Sequence, residues 1–77
     1  MKIEKDLLDL VKSMLIIKTS PKKLGLGIHQ KWDSLAHLKI LLEVEKKFKI
    51  KFTMKEMTEI KSFKEIHQQI KKKINNN

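Results

Sequence analysis

Residues 31–38 have the sequence Lys-Trp-Asp-Ser-Leu-Ala-His-Leu and lie where a long glycine-containing loop ends and the most apolar segment begins. Asp33 and Ser34 are residue types that begin helices, because their side-chain oxygens accept hydrogen bonds from free backbone N–H groups. A hydroxyl in the first turn also lies at the positive end of the helix dipole. Such a position suits a phosphate ester, so we expect Ser34 to be a point of covalent attachment.

Two apolar patterns at helical spacing flank this segment. The first predicts helix 1 over residues 3–17, with these inward residues: Ile3, Leu7, Leu10, Val11 and Met14. The second predicts an enclosed, central helix 2 over residues 34–48, with these inward residues: Leu35, Leu38, Ile40, Leu41, Leu42, Val44 and Phe48. The connection over residues 18–33 is long for so small a domain, which is typical of a functional loop. Leu24, Leu26 and Ile28 are expected to hold it against the core.

The second half of the chain predicts a linker and two further helices. Residues 49–52 alternate polar and apolar without a partner strand, so we expect an extended linker with Ile50 and Phe52 in the core. Two capping boxes, Thr53 with Glu56 and Ser62 with Glu65, predict the starts of a short helix 3 and a longer helix 4. The residues expected to face inward here are Met54, Met57 and Ile60 in helix 3 and Phe63, Ile66, Ile70 and Ile74 in helix 4.

Together these elements predict one all-α domain over residues 1–77, a small four-helix bundle with three longer helices, a short third helix and a long loop between helices 1 and 2. Residues 74–77 are expected to be a frayed tail. No cysteine is present to form a disulfide, and the longest apolar run, Met14 to Ile17, is too short to cross a bilayer. We therefore expect a soluble, cytoplasmic monomer without membrane insertion.

The net charge of +9 comes from 18 basic and 9 acidic residues, and every basic residue is lysine. One interpretation is binding to nucleic acid or to anionic lipid. The other is a solvated lysine surface, which is favoured because arginine is absent and the lysines are spread over all four helices. A small basic helical nucleic-acid-binding protein is the alternative function, although nucleic acid is not the expected partner.

Enzyme and metal chemistry find little support in the sequence. The three histidines, His29, His37 and His67, are not at a recognisable metal-ligand spacing, so no metal site is predicted. His67 lies on the apolar stripe of helix 4 and is expected to pack at the edge of the core. A catalytic triad of Ser34, His37 and Asp33 is disfavoured, because so small a domain cannot enclose a substrate pocket of the usual size. No catalytic residue is predicted.

The tripeptide Asp33-Ser34-Leu35, the apolar helix that follows it up to Phe48, and the segments Ile50-Lys51-Phe52 and Ile60-Lys61-Ser62-Phe63 resemble an acyl carrier protein. The resemblance covers essentially the whole chain. It implies that Ser34 receives 4'-phosphopantetheine from coenzyme A through a magnesium-dependent enzyme, a holo-acyl-carrier-protein synthase or another phosphopantetheinyl transferase. It also implies that Asp33 assists this transfer. His37, one turn further on, is expected either to approach the phosphate or to be an exposed helix residue.

The resemblance further implies a phosphoprotein of lipid metabolism that is not itself an enzyme. The thiol of the arm would carry an acyl group as a thioester, which acyl-loading and acyl-transfer enzymes would deliver and remove, and the acyl chain could slip between the helices. The cargo is left open between a fatty acyl group, as in fatty acid biosynthesis, a polyketide and an aminoacyl group. D-alanine carriers often have phenylalanine at the place of Leu35, which disfavours that cargo. An unmodified interaction module with the same fold also stays open.

The charge of the expected partner surface departs from that of typical bacterial fatty-acid carriers, which are strongly acidic. Ala36, Lys39, Lys46, Met54 and Lys55 stand where acids are expected, while Glu45 and Glu56 remain. The partner-binding residues expected from the resemblance are Leu35, Leu38, Lys39, Leu42, Glu45, Lys46 and Glu56. We therefore expect a specialised carrier with dedicated partners. Trp32 resembles stand-alone carriers of secondary or surface-polymer pathways, or else packs the loop onto helix 2.

Overall fold

The computed structural model describes residues 3–17, 25–27 and 30–75, and these residues form four helices and no strand. The helices are α1 (Ile3–Leu15), α2 (Ser34–Phe48), α3 (Met54–Glu59) and α4 (Phe63–Asn75). The predicted all-α, four-helix architecture is therefore confirmed. Within this part of the chain, no helix is both long enough and apolar enough to cross a membrane. Leu24, Ile28 and His29 lie outside the described residues, so the expectations for them stay predictions.

Helix α1 ends two residues earlier than predicted, at Leu15. Ile16 adopts a left-handed backbone with a φ of 54° and is 79% exposed. This turn brings the Ile17 N–H to the Lys12 carbonyl at 3.2 Å, a bond that closes the end of a helix. The first proline after this helix is Pro21, and a proline that far along the chain does not locate the last helical turn.

The core is built from one face of α1, one of α2 and one of α4, together with residues of the connections. Its buried apolar residues are Ile3, Leu7, Val11, Leu15, Trp32, Ile40, Leu41, Val44, Ile50, Phe52, Ile60, Phe63, Ile66 and Ile70. The predicted stripe of α4 is confirmed, with Ile74 packed at its edge. Helix α4 continues to Asn75, two residues into the stretch expected to be a tail, and Asn76 and Asn77 lie outside the described residues.

The buried face of α2 differs from the prediction. Leu35, Leu38 and Leu42, which were expected to face inward, are 61%, 46% and 44% exposed. The inward positions of α2 are His37, Ile40, Leu41 and Val44. Apolar residues surround most of this helix, so periodicity alone did not identify the side that meets α1 and α4.

The linker after α2 enters the core at Ile50 and Phe52, as predicted. Lys49 is left-handed, with a φ of 56°, and its N–H donates to the Glu45 carbonyl. The carboxylate of Glu45 then accepts the Phe52 N–H at 2.8 Å. Glu45 therefore holds the linker against the end of α2.

The first predicted capping box forms, and the second forms only in part. Thr53 and Glu56 exchange hydrogen bonds at the start of α3. Ser62 Oγ accepts the Glu65 N–H at 3.2 Å, but the Glu65 carboxylate accepts the N–H of Lys61, at 3.1 Å. Met57 packs against the core and Ile60 is buried, as predicted, whereas Met54 is 79% exposed. Because α3 has only six residues, it buries none of its own side chains fully.

The part of the long loop that the structure describes is fixed to the start of α4. Gly25 forms an isolated antiparallel bridge with Ser62, and the Leu26 N–H donates to the Lys61 carbonyl at 2.8 Å. A Cβ at Gly25 would lie 2.5 Å from the Lys61 oxygen, so only glycine fits this approach. Leu26 packs against the core as expected. The Gly27 N–H donates to the Trp32 carbonyl at 3.0 Å, which ties the loop to the residues that precede α2.

Glu56 joins α3 to α4 as well as capping α3. Its carboxylate accepts the Thr53 N–H at 2.8 Å and pairs with the Lys73 ammonium at 2.9 Å, while Lys73 lies 5.7 Å from the centre of the Phe52 ring. The hydrogen bond from Lys73 lowers the pKa of Glu56 below its ordinary value, and the Thr53 backbone N–H lowers it further. The charged carboxylate is therefore the form that the fold stabilises.

Replacing Glu56 with glutamine tests this contribution. Because the pKa of Glu56 is lower in the folded state, its stabilising effect is present above the pKa of the unfolded chain and is lost as pH falls through the folded value. We expect Glu56→Gln to lower the free energy of unfolding by about 1 kcal/mol at neutral pH, the scale of a capping contact. Urea unfolding at several pH values should show the difference shrinking in acid. Glu59→Gln, at an exposed position of α3, is the matched control, and an E56Q deficit that stays constant with pH would contradict the assignment.

Candidate functional site

The start of α2 is set by Asp33. Its backbone is extended, and its Oδ1 accepts the Ala36 N–H at 2.9 Å, which makes it the N-cap. The Asp33 carbonyl accepts the His37 N–H at 2.8 Å, the first bond of the helical ladder. Ser34 is consequently the first residue inside the helix. Of the two N-cap candidates in the sequence, Asp33 takes the role and Ser34 is left without a capping function.

Ser34 is exposed at the N-terminus of α2, where the helix dipole is positive. It also lies at the edge of a cavity of about 450 Å³ between α2 and α3. The apolar side chains that line this cavity are Leu26, Leu38, Leu41, Met54, Met57 and Ile60. The exposure of Met54 has its explanation here, since the residue forms an open wall of the cavity. The Ser34 hydroxyl therefore lies between solvent and this apolar cavity.

His37 lies in the wall of the same cavity and is only 6% exposed. Its Nδ1 accepts the indole N–H of Trp32 at 2.8 Å, and its Nε2 lies 2.7 Å from the carbonyl oxygen of Ile60. Since Nδ1 is an acceptor, the ring in this arrangement is the neutral tautomer whose Nε2 carries the proton and donates to Ile60. Trp32 is fully buried, so the expectation that it packs the loop onto α2 is confirmed.

These contacts correct both expectations for His37. It is not an exposed helix residue, and neither ring nitrogen is available to a phosphate on Ser34. The same bonds exclude the triad, because His37 is paired with Trp32 and Ile60 while the Asp33 carboxylate caps the helix. No pattern in the local sequence predicts the hydrogen bond between Trp32 and His37. The other partner of His37, the Ile60 carbonyl, is 23 residues away along the chain. A buried linkage of this kind depends on the tertiary fold.

The two acids expected at the partner surface have structural roles. Glu45 accepts the Phe52 N–H, and Glu56 caps α3 and pairs with Lys73. Leu35, Leu38 and Leu42 are exposed, which corrects their placement in the core, while their role in binding a partner stays a prediction. The exposed lysines of the expected surface are Lys39, Lys46 and Lys55.

Metal binding has no support from the part of the chain that the structure describes, where no three His, Asp or Glu side chains cluster as ligands would. His67 is half-buried at the edge of the core, as predicted. No protein family model, curated protein or solved structure matches the chain. The chemistry available to this site therefore depends on Ser34, on the cavity beside it and on the surface of α2.

The coupling of Trp32 to His37 can be measured by a double-mutant cycle. Trp32→Phe leaves a buried acceptor without a donor, and His37→Leu leaves the Trp32 N–H and the Ile60 carbonyl without a partner, so each unpaired group should cost about 1–3 kcal/mol of folding stability. The double variant removes both groups and should cost less than the sum by about 1 kcal/mol. Urea unfolding of the four proteins gives these values. A parallel cycle of Trp32→Phe with Thr53→Ala, which shares no hydrogen bond with it, should be additive, and additivity in both cycles would contradict the pair.

Proposed function

We propose that the protein is an acyl carrier that holds its cargo as a thioester on a 4'-phosphopantetheine arm attached to Ser34. The observation that carries the proposal is the position of Ser34: an exposed hydroxyl on the first residue of a helix, at the edge of an apolar cavity. The resemblance of the surrounding sequence to acyl carrier proteins supports the same function. In this proposal Ser34 is an anchor, and the reaction at its hydroxyl belongs to a transferase that visits it.

The residues around Ser34 fit a phosphodiester. Transfer of the arm would bond the Ser34 oxygen to a phosphorus of coenzyme A and break the pyrophosphate link, so that the adenine nucleotide leaves and the hydroxyl proton passes to the transferase. The product carries a negative charge beside the positive end of the α2 dipole, which is a favourable placement. The arm itself would supply a thiol, which a chain without cysteine otherwise lacks.

The cavity supports an apolar cargo. Its volume of about 450 Å³ falls within the range of small-molecule sites, and its lining is almost entirely apolar. Each methylene group of an acyl chain that leaves water for such a surface contributes about 0.8 kcal/mol. The lining therefore favours a fatty acyl or apolar polyketide chain over a charged aminoacyl group. Ser34 is near enough to the opening for an arm attached there to reach the interior.

Incubation with coenzyme A and a broad-specificity phosphopantetheinyl transferase, in the presence of Mg²⁺, tests the attachment. We expect the intact protein to gain the mass of one phosphopantetheine group, because Ser34 is exposed at the start of α2. Ser34→Ala should gain none. Ser13→Ala, at an exposed serine of α1, is the matched control and should be modified as the unaltered chain is. A chain that gains no mass, or modification that survives Ser34→Ala, would refute the proposal.

Asp33→Asn separates the two roles of Asp33. Asparagine caps helices about as well as aspartate, so the stability measured by urea unfolding should change little. It lacks the carboxylate that the resemblance assigns to the transfer reaction, so we expect the rate of arm attachment to fall by about tenfold or more, within the usual range for the loss of one assisting group. Equal rates for the two proteins would leave Asp33 with a capping role alone.

A further inference from the structure

One face of α2 points away from the core and combines leucines with lysines. We call Leu35, Lys39, Leu42 and Lys46 the outer stripe; they are spaced three or four residues apart and so lie along one side of the helix. The opposite side is buried through Ile40 and Val44. The stripe begins one residue after Ser34. A partner that lies along it therefore meets the attachment site at its end.

The apolar part of this surface is too exposed to belong to the core. Leu35 is 61% exposed and Leu42 is 44% exposed, and Leu38, which borders the stripe, is 46% exposed. Three neighbouring leucines in contact with water are costly to maintain, and grouped exposed apolar residues of this kind mark interaction sites. Their spacing matches the anchors that a helix inserts into an apolar groove.

The charge of the same surface is positive. Lys39 and Lys46 are exposed, and Glu43 forms only an exposed ion pair with Lys46, at 3.4 Å. Of the nearby acids, Glu56 is paired with Lys73, whereas Glu45 keeps its charge while it accepts the Phe52 N–H. Because the whole chain has a net charge of +9, the field that a partner meets on approach is cationic.

We propose that the outer stripe docks into an apolar groove edged by carboxylates on the enzymes that serve Ser34. The leucines fill the groove, and the lysines meet the acids at its rim, where opposite charges speed association and select the partner. This inference rests on the proposed function, because it assigns the stripe to enzymes that act at Ser34. The docking surface of these enzymes is therefore acidic, which is opposite in charge to the basic enzyme surfaces that bind acidic carriers.

A protein partner fits the stripe better than a membrane or a nucleic acid does. Helices that lie in a membrane interface usually bring Trp or Phe to the surface. Here all four aromatic side chains, Trp32, Phe48, Phe52 and Phe63, are buried or half-buried. Single-stranded nucleic acid likewise needs exposed aromatic groups for stacking. Phosphate contacts alone would use the lysines and leave the leucines without a role.

A charge-swap experiment tests the proposal with the full chain. The probes are two forms of one holo-acyl-carrier-protein synthase: the natural enzyme with a basic docking surface, and a variant whose docking lysines and arginines are changed to glutamate. Each is combined with the unaltered chain and with the double variant Lys39→Glu/Lys46→Glu. The initial rate of phosphopantetheine attachment to Ser34 is measured by intact-mass spectrometry, with an ordinary acidic carrier as the positive control for the natural enzyme.

We expect the charge-reversed synthase to load the unaltered chain about tenfold faster than the natural synthase does, and the order to invert for K39E/K46E. Both differences should shrink at about 0.5 M salt, because salt screens exposed charges. The matched control is Lys64→Glu/Lys71→Glu, which changes the net charge equally at exposed positions of α4 and should behave as the unaltered chain does. A further variant, Leu42→Ala, should slow loading by both forms of the enzyme.

Three outcomes would overturn the docking proposal. Loading that proceeds at one rate in all four pairings would show that the lysines take no part in docking. An equal effect of the α4 control would assign the difference to net charge. Sedimentation of the unaltered chain, but not of K39E/K46E, with phosphatidylglycerol vesicles would assign the stripe to a membrane. If no pairing places an arm on Ser34 while the acidic carrier is loaded, the proposed function itself fails, and the docking proposal fails with it.

Discussion

The imidazole of His37 connects the residue that precedes α2 by two positions, Trp32, with the α3–α4 connection, 23 residues beyond His37 along the chain. Through Nδ1 it holds Trp32, which precedes α2, and through Nε2 it holds the Ile60 carbonyl between α3 and α4. Both bonds are buried, where an unpaired polar group costs about 1–3 kcal/mol. Water cannot replace either partner at such a site without a rearrangement of the core. The position of the α2 N-terminus, and of Ser34, relative to the α3–α4 connection is set by this side chain together with the backbone bonds from Leu26 to Lys61 and from Gly27 to Trp32.

Local signals in the sequence predicted the elements well. The bounds of α2 follow from an N-cap residue next to an apolar run, and the starts of α3 and α4 follow from Ser or Thr three residues before Glu. These features depend on neighbours within one turn, so they can be recognised without the fold. The exposed position of Ser34 follows from the same reasoning. The last turn of α1 was missed, because a left-handed backbone at Ile16 runs against the preference of a β-branched residue.

The errors share a physical cause, which is that they concern contacts made across the fold. Periodicity identified α2 as apolar on nearly all sides and did not determine which leucines meet the core. The bond of Glu45 to the Phe52 N–H and the ion pair of Glu56 with Lys73 are contacts of this kind, while the place of both acids on a partner surface stays a prediction. His37 was assigned to solvent or phosphate for the same reason.

The short helix α3 has a consequence for what the cavity can hold. It buries none of its residues fully, and it meets the rest of the fold through the ion pair of Glu56 with Lys73, the packing of Met57 against the core and the buried Ile60 that follows it. The longer helices α1, α2 and α4 share the core among themselves. Met54 and Met57 of α3 line the cavity, and their unbranched side chains adapt readily in shape. The volume beside Ser34 can change while the core that sets the global stability stays as it is.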